Sequence, residues 1–228
     1  MNYFLQNKIL YEDNHLIIIN KSPSEIVQGD KTGDEPLVEK IKQYIKIKHN
    51  KPGNVFLGVA HRLDRPASGI VIFAKTSKAL TRLNSIIKNR EINKFYWAIV
   101  KNKPPAESGY LKHYLIKNEK INKSTAFHKE KPGTKAAELN YKLINTSNNY
   151  YLLEIELLTG RHHQIRAQLA KISCPVKGDL KYGFPRSNKD ASINLHARKV
   201  EFIHPVSKEN ISITASPPDD PLWNYFDF

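Results

Sequence analysis

Apolar residues in this chain follow two rhythms, and each predicts a different element. Short unbroken runs, Val55 to Ala60 and Ile70 to Ala74, have the length of strands buried on both faces. Ile9 to Asp13 and His15 to Asn20 predict two shorter strands joined by a turn at Asp13-Asn14. From Leu37 the spacing changes. Leu37, Ile41 and Ile45 repeat every four residues with lysines on the other faces, which predicts an amphipathic helix. Asp34 is its expected cap, Pro36 falls in its first turn, and the Pro-Gly loop in KHNKPGN closes it. A second helix follows, capped by Thr76 or Ser77. It turns Leu80, Leu83 and Ile87 inward and Lys78, Arg82, Lys88 and Arg90 outward.

Beyond it the pattern is mostly that of strands. Lys94 to Val100 is aromatic-rich, and period-two alternation puts Phe95, Trp97 and Ile99 on one face and Tyr96 and Ala98 on the other. Gly109 to Thr146 alternates short strand-like runs with Lys/Asn-rich loops, which predicts an antiparallel meander; His113 and His128 are expected at its surface. Tyr150 to Leu158 is a further strand. After it, Thr159-Gly160 turns the chain into a helix with the stripe Ile165, Leu169, Ile172, and Arg161 is expected in the first turn. A cation there opposes the helix dipole unless an anion is nearby. The Pro- and Asp-rich end is expected to pack through Trp223.

The 228 residues, 40% of them hydrophobic, suffice for a sizeable core, and one domain is the expectation. A single cysteine, Cys174, excludes an internal disulfide and fits a reducing compartment. No stretch has the pattern of a signal peptide or a membrane span, so a soluble, cytoplasmic, monomeric protein is expected. Adjacent His162 and His163 with one cysteine do not make a converging ligand set, and no metal site is expected.

Charge narrows the choice of partner. The net charge is +14, and residues 75–135 hold 15 Lys or Arg against four acids. That balance favours a polyanion, without saying which one.

Candidate chemistry gathers between the two buried runs. The loop His61-Arg62-Leu63-Asp64-Arg65-Pro66-Ala67-Ser68-Gly69 carries Asp64, the only aspartate between Asp34 and Asp179. A charged loop held by rigid strands is a good mount for a catalytic group. Taken alone, it reads first as a turn in which Asp64 pairs with Arg62 or Arg65, since structural ion pairs are common.

The run HRLDRPASGIVIFAK resembles the signature of the RluA family of RNA pseudouridine synthases. So do Lys94-Phe95-Tyr96-Trp97-Ala98-Ile99-Val100, the run TGRHHQIR from Thr159 to Arg166, and the closing segments PVKGDLKYG, Leu195 to Arg198 and Phe202 to Pro205. Lys21 matches the family's Asn-Lys-Pro, although Ser22 intervenes before Pro23 and no glycine follows until Gly29. The resemblance spans roughly residues 8 to 223, and the separate RNA-binding domain that many members of the family carry in front is not expected ahead of Ile9.

It implies an α+β fold around a mostly antiparallel, mixed sheet with flanking helices. It also implies isomerisation of specific uridines in structured RNA, ribosomal or transfer, with no cofactor. By the same resemblance Asp64 is the catalytic residue, Arg166 its cationic partner, and Tyr96 and Ile165 lie against the base. Arg62 helps fill the space the base leaves, while Arg161 and Lys21 contribute to binding. An RNA-binding or assembly protein without turnover is the rival from another class. A glycosidase or metal-dependent nuclease fits less well, since those use two or more carboxylates.

Overall fold

The computed structural model describes residues 3–30 and 33–226. The fold is α+β, a mostly antiparallel, mixed sheet with few flanking helices. Its elements fall into two compact units. One comprises Met1–Ile92 and Arg198–Ser216, the other Asn93–Ala197 and Pro217–Phe228.

In the first unit a short helix α1 (Tyr3–Gln6) precedes β1 (Ile9–Glu12), which pairs with β2 (Leu16–Lys21), and β2 with β4 (Ser68–Ala74), both pairings antiparallel. The turn between β1 and β2 is made by Asp13, whose carboxylate accepts the N–H groups of His15 and Leu16 at 2.7 and 2.6 Å. Ile17 and Ile19 sit opposite Phe73 and Val71. These four join Leu37, Val38, Ile41 and Ile45 of helix α2 (Leu37–Lys48) in one core cluster. All seven residues of β4 are buried, as an uninterrupted apolar run requires. Thr76 caps α3 (Ser77–Lys88) by accepting the Ala79 N–H at 3.1 Å.

Three expectations change here. The run Val55 to Ala60 contributes only β3 (Gly58–Val59), which pairs with Ala74 and Phe73; Phe56 is 48% exposed, so the run is not a buried strand throughout. Pro36, not Asp34, is the N-cap of α2, because the Asp34 carboxylate accepts a hydrogen bond from Arg65 at 2.6 Å. Arg82 reaches the Pro205 carbonyl at 3.2 Å instead of standing in solvent.

In the second unit the strand order is β5 (Ile92–Val100), β9 (Tyr151–Leu157), β8 (Lys135–Thr146), β6 (Ser108–Asn118), β7 (Lys123–Phe127). Each pairing is antiparallel, so the meander is present. Helix α4 (Gln164–Lys171) lies on β6 and β7, with Ala167 packed among Leu115, Ala126 and Ala137. Helix α5 (Pro221–Tyr225) is capped by Asp220 and places Trp223 against Trp97, Ile99 and Leu152. The strand β10 (Leu195–Ile203) runs from this unit back into the first, where it pairs with β11 (Asn210–Thr214).

His113 is not at the surface. It is 3% exposed, 5.1 Å ring to ring from the exposed His128, and its Nδ1 lies 3.2 Å from the Gln168 amide nitrogen. Alternation along β6 turns its side chain inward between the exposed Lys112 and the half-buried Tyr114.

Candidate active site

The loop before β4 is fixed residue by residue. His61 accepts the Ile72 N–H on Nε2 at 3.1 Å, which ties the start of the loop to the strand. Leu63 packs on the core cluster while Arg62, one position earlier, is exposed. The Ala67 N–H donates to the Asp64 carbonyl at 3.1 Å and closes the turn. Gly69 has φ +111°, a region open to glycine, where the chain leaves the turn and enters β4 opposite Lys21. The Asp64 side chain is left half-buried between an anchored Leu63 and a pinned Arg65.

Lys21 supplies the pin. It has no exposed surface, and its ammonium donates to the carbonyls of Ser22, Glu25 and Arg65 at 2.9, 3.0 and 3.2 Å. The Ser24 N–H reaches the same Arg65 oxygen at 2.9 Å. Burial pushes the Lys21 ammonium down to about 7, against the pull of the Glu25 and Asp64 carboxylates. The side chain expected at the substrate therefore sits beneath the loop, with three backbone carbonyls around its charge.

In the second unit Tyr96 lies on β5 opposite Ile155 and is 9% exposed. Two residues before it, burial lowers the Lys94 ammonium. The segment from Thr159 to Gln164 brackets itself. Thr159 donates its hydroxyl to the Gln164 side-chain oxygen at 2.8 Å, and the Arg161 N–H donates to that oxygen at 3.0 Å. The Gln164 amide in turn donates to the Glu138 carbonyl at 3.0 Å. Because this bracket occupies the residues after Gly160, α4 begins only at Gln164, with His163 as a left-handed N-cap at φ 51°. Arg161 thus stands ahead of the helix and not in its first turn; it is exposed and donates to the Ala136 carbonyl at 3.0 Å. At that position the Arg161 guanidinium does not oppose the dipole from within the first turn, and no anion is required there. His162 and His163 stack at 3.8 Å between ring centroids, an arrangement unlike converging ligands.

Ile165 and Arg166 follow Gln164 in the first turn of α4, each 4% exposed. The Arg166 guanidinium forms a two-pronged ion pair with Asp179, Nε to Oδ2 at 2.7 Å and Nη2 to Oδ1 at 2.8 Å. Its central carbon lies 5.1 Å from the centre of the Tyr182 ring. Neither Asp179 nor Tyr182 stood out in the sequence beyond lying in PVKGDLKYG; their partner is 13 or more residues away, and no local spacing announces it.

The first unit therefore gathers Lys21, Arg62 and Asp64 around one loop, and the second gathers Arg161, Ile165 and Arg166 at the head of α4, with Tyr96 on β5. An ionised carboxylate on a rigid turn can act as nucleophile or base; a buried, oriented guanidinium can stabilise an anion.

A family model described as RNA pseudouridylate synthase matches residues 15–171. The chain is 33% identical over 230 residues to ribosomal large subunit pseudouridine synthase C of Buchnera aphidicola subsp. Acyrthosiphon pisum, covering 97% of this chain and 70% of that one. It is 30% identical over 217 residues to the protein of the same name from Vibrio cholerae, covering 92% and 66% respectively. The chain thus spans about two thirds of the length of these curated relatives. The solved structure of human RNA pseudouridylate synthase domain containing 4 superposes with TM-score 0.79 at 21% identity, covering 95% of this chain and 90% of that one, which shows a shared fold.

Proposed function

The chain belongs to the RNA pseudouridylate synthase family, and on that premise we propose that it isomerises specific uridines in RNA to pseudouridine. The observation that carries the reading is the mounting of Asp64: one carboxylate on a turn pinned from below by Lys21, in the chain segment the family model matches. In the reaction the bond from C1′ to N1 breaks, the uracil turns, and C5 bonds to C1′. The proton leaving C5 balances the one gained at N1, so no electron or group enters or leaves, and no cofactor is required. Asp64 acts on the sugar or the uracil as nucleophile or base. Arg166 is the cation of the site, and Tyr96 and Ile165 hold the base. Arg62, exposed beside Asp64, takes part where the uridine leaves its stack, a step costing a few kcal/mol. Arg161 contacts the RNA, and Lys21 supports the loop from inside. The 228 residues act as one catalytic domain, as a cytoplasmic monomer.

Ribosomal RNA is the favoured substrate over transfer RNA, supported by the names of the relatives. Among the described residues no helix is long and apolar enough to cross a membrane. The test is to map pseudouridines in total RNA from cells with and without the protein. A small set of positions in large-subunit ribosomal RNA should disappear with it. An unchanged map, together with tight RNA binding, would favour the assembly-protein reading instead.

A further inference from the structure

The surroundings of Arg166 remove nearly every freedom its guanidinium has. Asp179 takes the Nε–Nη2 edge with both oxygens, which fixes the plane of the group. Its central carbon lies over the Tyr182 ring, 5.1 Å from the ring centre, so the ring backs the group on that side.

Both supports are themselves held. Asp179 donates its N–H to the Val176 carbonyl at 3.0 Å, and its own carbonyl accepts from Tyr182 and Phe184 at 3.1 and 3.0 Å. The turn leading to it needs Gly178: φ is +85°, and a Cβ there would stand 2.7 Å from the Ser192 carbonyl oxygen. The Tyr182 hydroxyl donates to the Ser124 carbonyl at 3.1 Å and accepts the Ser124 N–H at 2.9 Å. The same hydroxyl lies 3.1 Å from Nδ1 of His163.

A buried ion pair is a poor device for stability, because desolvation offsets most of the attraction. Its geometric effect is different: the two-pronged pair fixes the plane of the guanidinium, and the Tyr182 ring limits its movement on one side. We propose that Asp179 and Tyr182 are positioning residues, which act through Arg166 by presenting its guanidinium in a single pose for the reaction. This rests on the function proposed above and assigns that site two further residues.

The test uses large-subunit ribosomal RNA transcribed in vitro without modification. Single-turnover pseudouridine formation, RNA affinity and melting temperature are measured for each variant. Asp179→Asn and Tyr182→Leu should slow the single-turnover step by about 10²-fold, as misplacing a reacting group by about 1 Å does, with RNA affinity held within about two-fold. The double variant Arg166→Lys with Asp179→Asn should be no slower than Arg166→Lys alone, because Asp179 acts only through that cation. Losses that multiply in the double variant would mean a general structural role and overturn the proposal. If Asp179→Asn does not fold, Asp179→Glu retains the charge and displaces it by one methylene; it should fold and still be slow, and a wild-type rate would overturn the proposal. Absence of product from the wild-type protein overturns the proposed function and this inference with it. Product from the wild type with undiminished rates in the variants overturns this inference alone.

Discussion

The ammonium of Lys21 donates to the main-chain carbonyl of Arg65 at 3.2 Å, and Arg65 directly follows Asp64. One buried cation thus ties the end of β2 to the loop that carries the carboxylate. Its two other donors close the turn through Ser22 and Glu25, so a single side chain sets the height of that loop over β4.

Lys21→Met should therefore be costly although it puts a hydrophobic stem where a hydrophobic stem already lies. Three buried carbonyls lose a donor, at about 1–3 kcal/mol for an acceptor left unpaired, and relief of the buried charge returns part of that. A net loss of about 3 kcal/mol would lower the melting temperature by roughly 6–12 °C in a chain of this size. Turnover measured well below the melting transition should fall as well, because Arg65 and with it Asp64 are released. An unchanged melt would show that Lys21 is not the support described.

Acid should act on stability through two groups in separate windows. Burial, then His128 and Lys171, lowers the pKa of His113 below its ordinary 6.5, and the Gln168 amide donates toward its Nδ1. The folded ring stays neutral where the unfolded ring already binds a proton. Stability from this group is thus present above about pH 6.5 and is lost as pH falls below it. Glu12 behaves oppositely in origin: burial alone would raise its carboxyl, but hydrogen bonds from Lys48, Lys75 and Tyr44 hold it at about 2. Its contribution is present above pH 4.5 and is lost between there and about 2. Melting temperatures between pH 7.5 and 5 should decline less for His113→Gln than for the wild type. Equal slopes would remove His113 as the sensor.

RNA affinity should depend steeply on salt. Of the 15 basic residues between 75 and 135, the group Lys101, Lys103, Lys120, Lys129, Lys131 and Lys135 is exposed. With 6–10 phosphate contacts, affinity falls by about 10³–10⁵ between about 50 and 200 mM salt, each contact adding about −0.9 to the logarithmic slope. Replacing Lys129, Lys131 and Lys135 with glutamine should flatten the slope by up to about 3. A slope near zero in the unaltered protein would count against this basic segment as the RNA grip.

Much of this was legible in the sequence because it depends on near neighbours. The stripe Leu37, Ile41, Ile45, the Thr76 cap and the apolar run of β4 are local patterns, and each appears where the pattern puts it. The misses share a different cause. Asp34 is a good cap by type, but a distant arginine claims its carboxylate. His113 looks like one more residue of a basic, polar strand; only the face presented to α4 makes it internal. α4 starts late because the Gln164 side chain folds back on Thr159 and Arg161, a competition that helical periodicity does not register. The candidate site divides in the same way. Asp64, Tyr96 and Arg166 stand in contiguous motifs, while Asp179 and Tyr182 matter through contacts made across the fold.

The decisive prediction concerns Asp64 itself. Asp64→Asn should abolish pseudouridine formation while leaving melting temperature and RNA affinity close to wild type. Asn is nearly isosteric, and the hydrogen bond that closes the turn runs from the Ala67 N–H to the main-chain oxygen of residue 64, which the substitution does not touch. Leu63 remains on the core and Arg65 remains on Lys21. What disappears is the anion, which both nucleophilic and basic roles require. One side effect must be controlled. The Asp64 charge helps hold Lys21 protonated, so its removal lowers the Lys21 pKa further from about 7, and the comparison belongs at pH 6. If Asp64 served only to anchor the turn, the pattern would be reversed, with a lowered melting temperature and activity retained in whatever fraction folds. Product from Asp64→Asn at the wild-type rate would remove the carboxylate from the chemistry and leave the pinned loop as a structural turn.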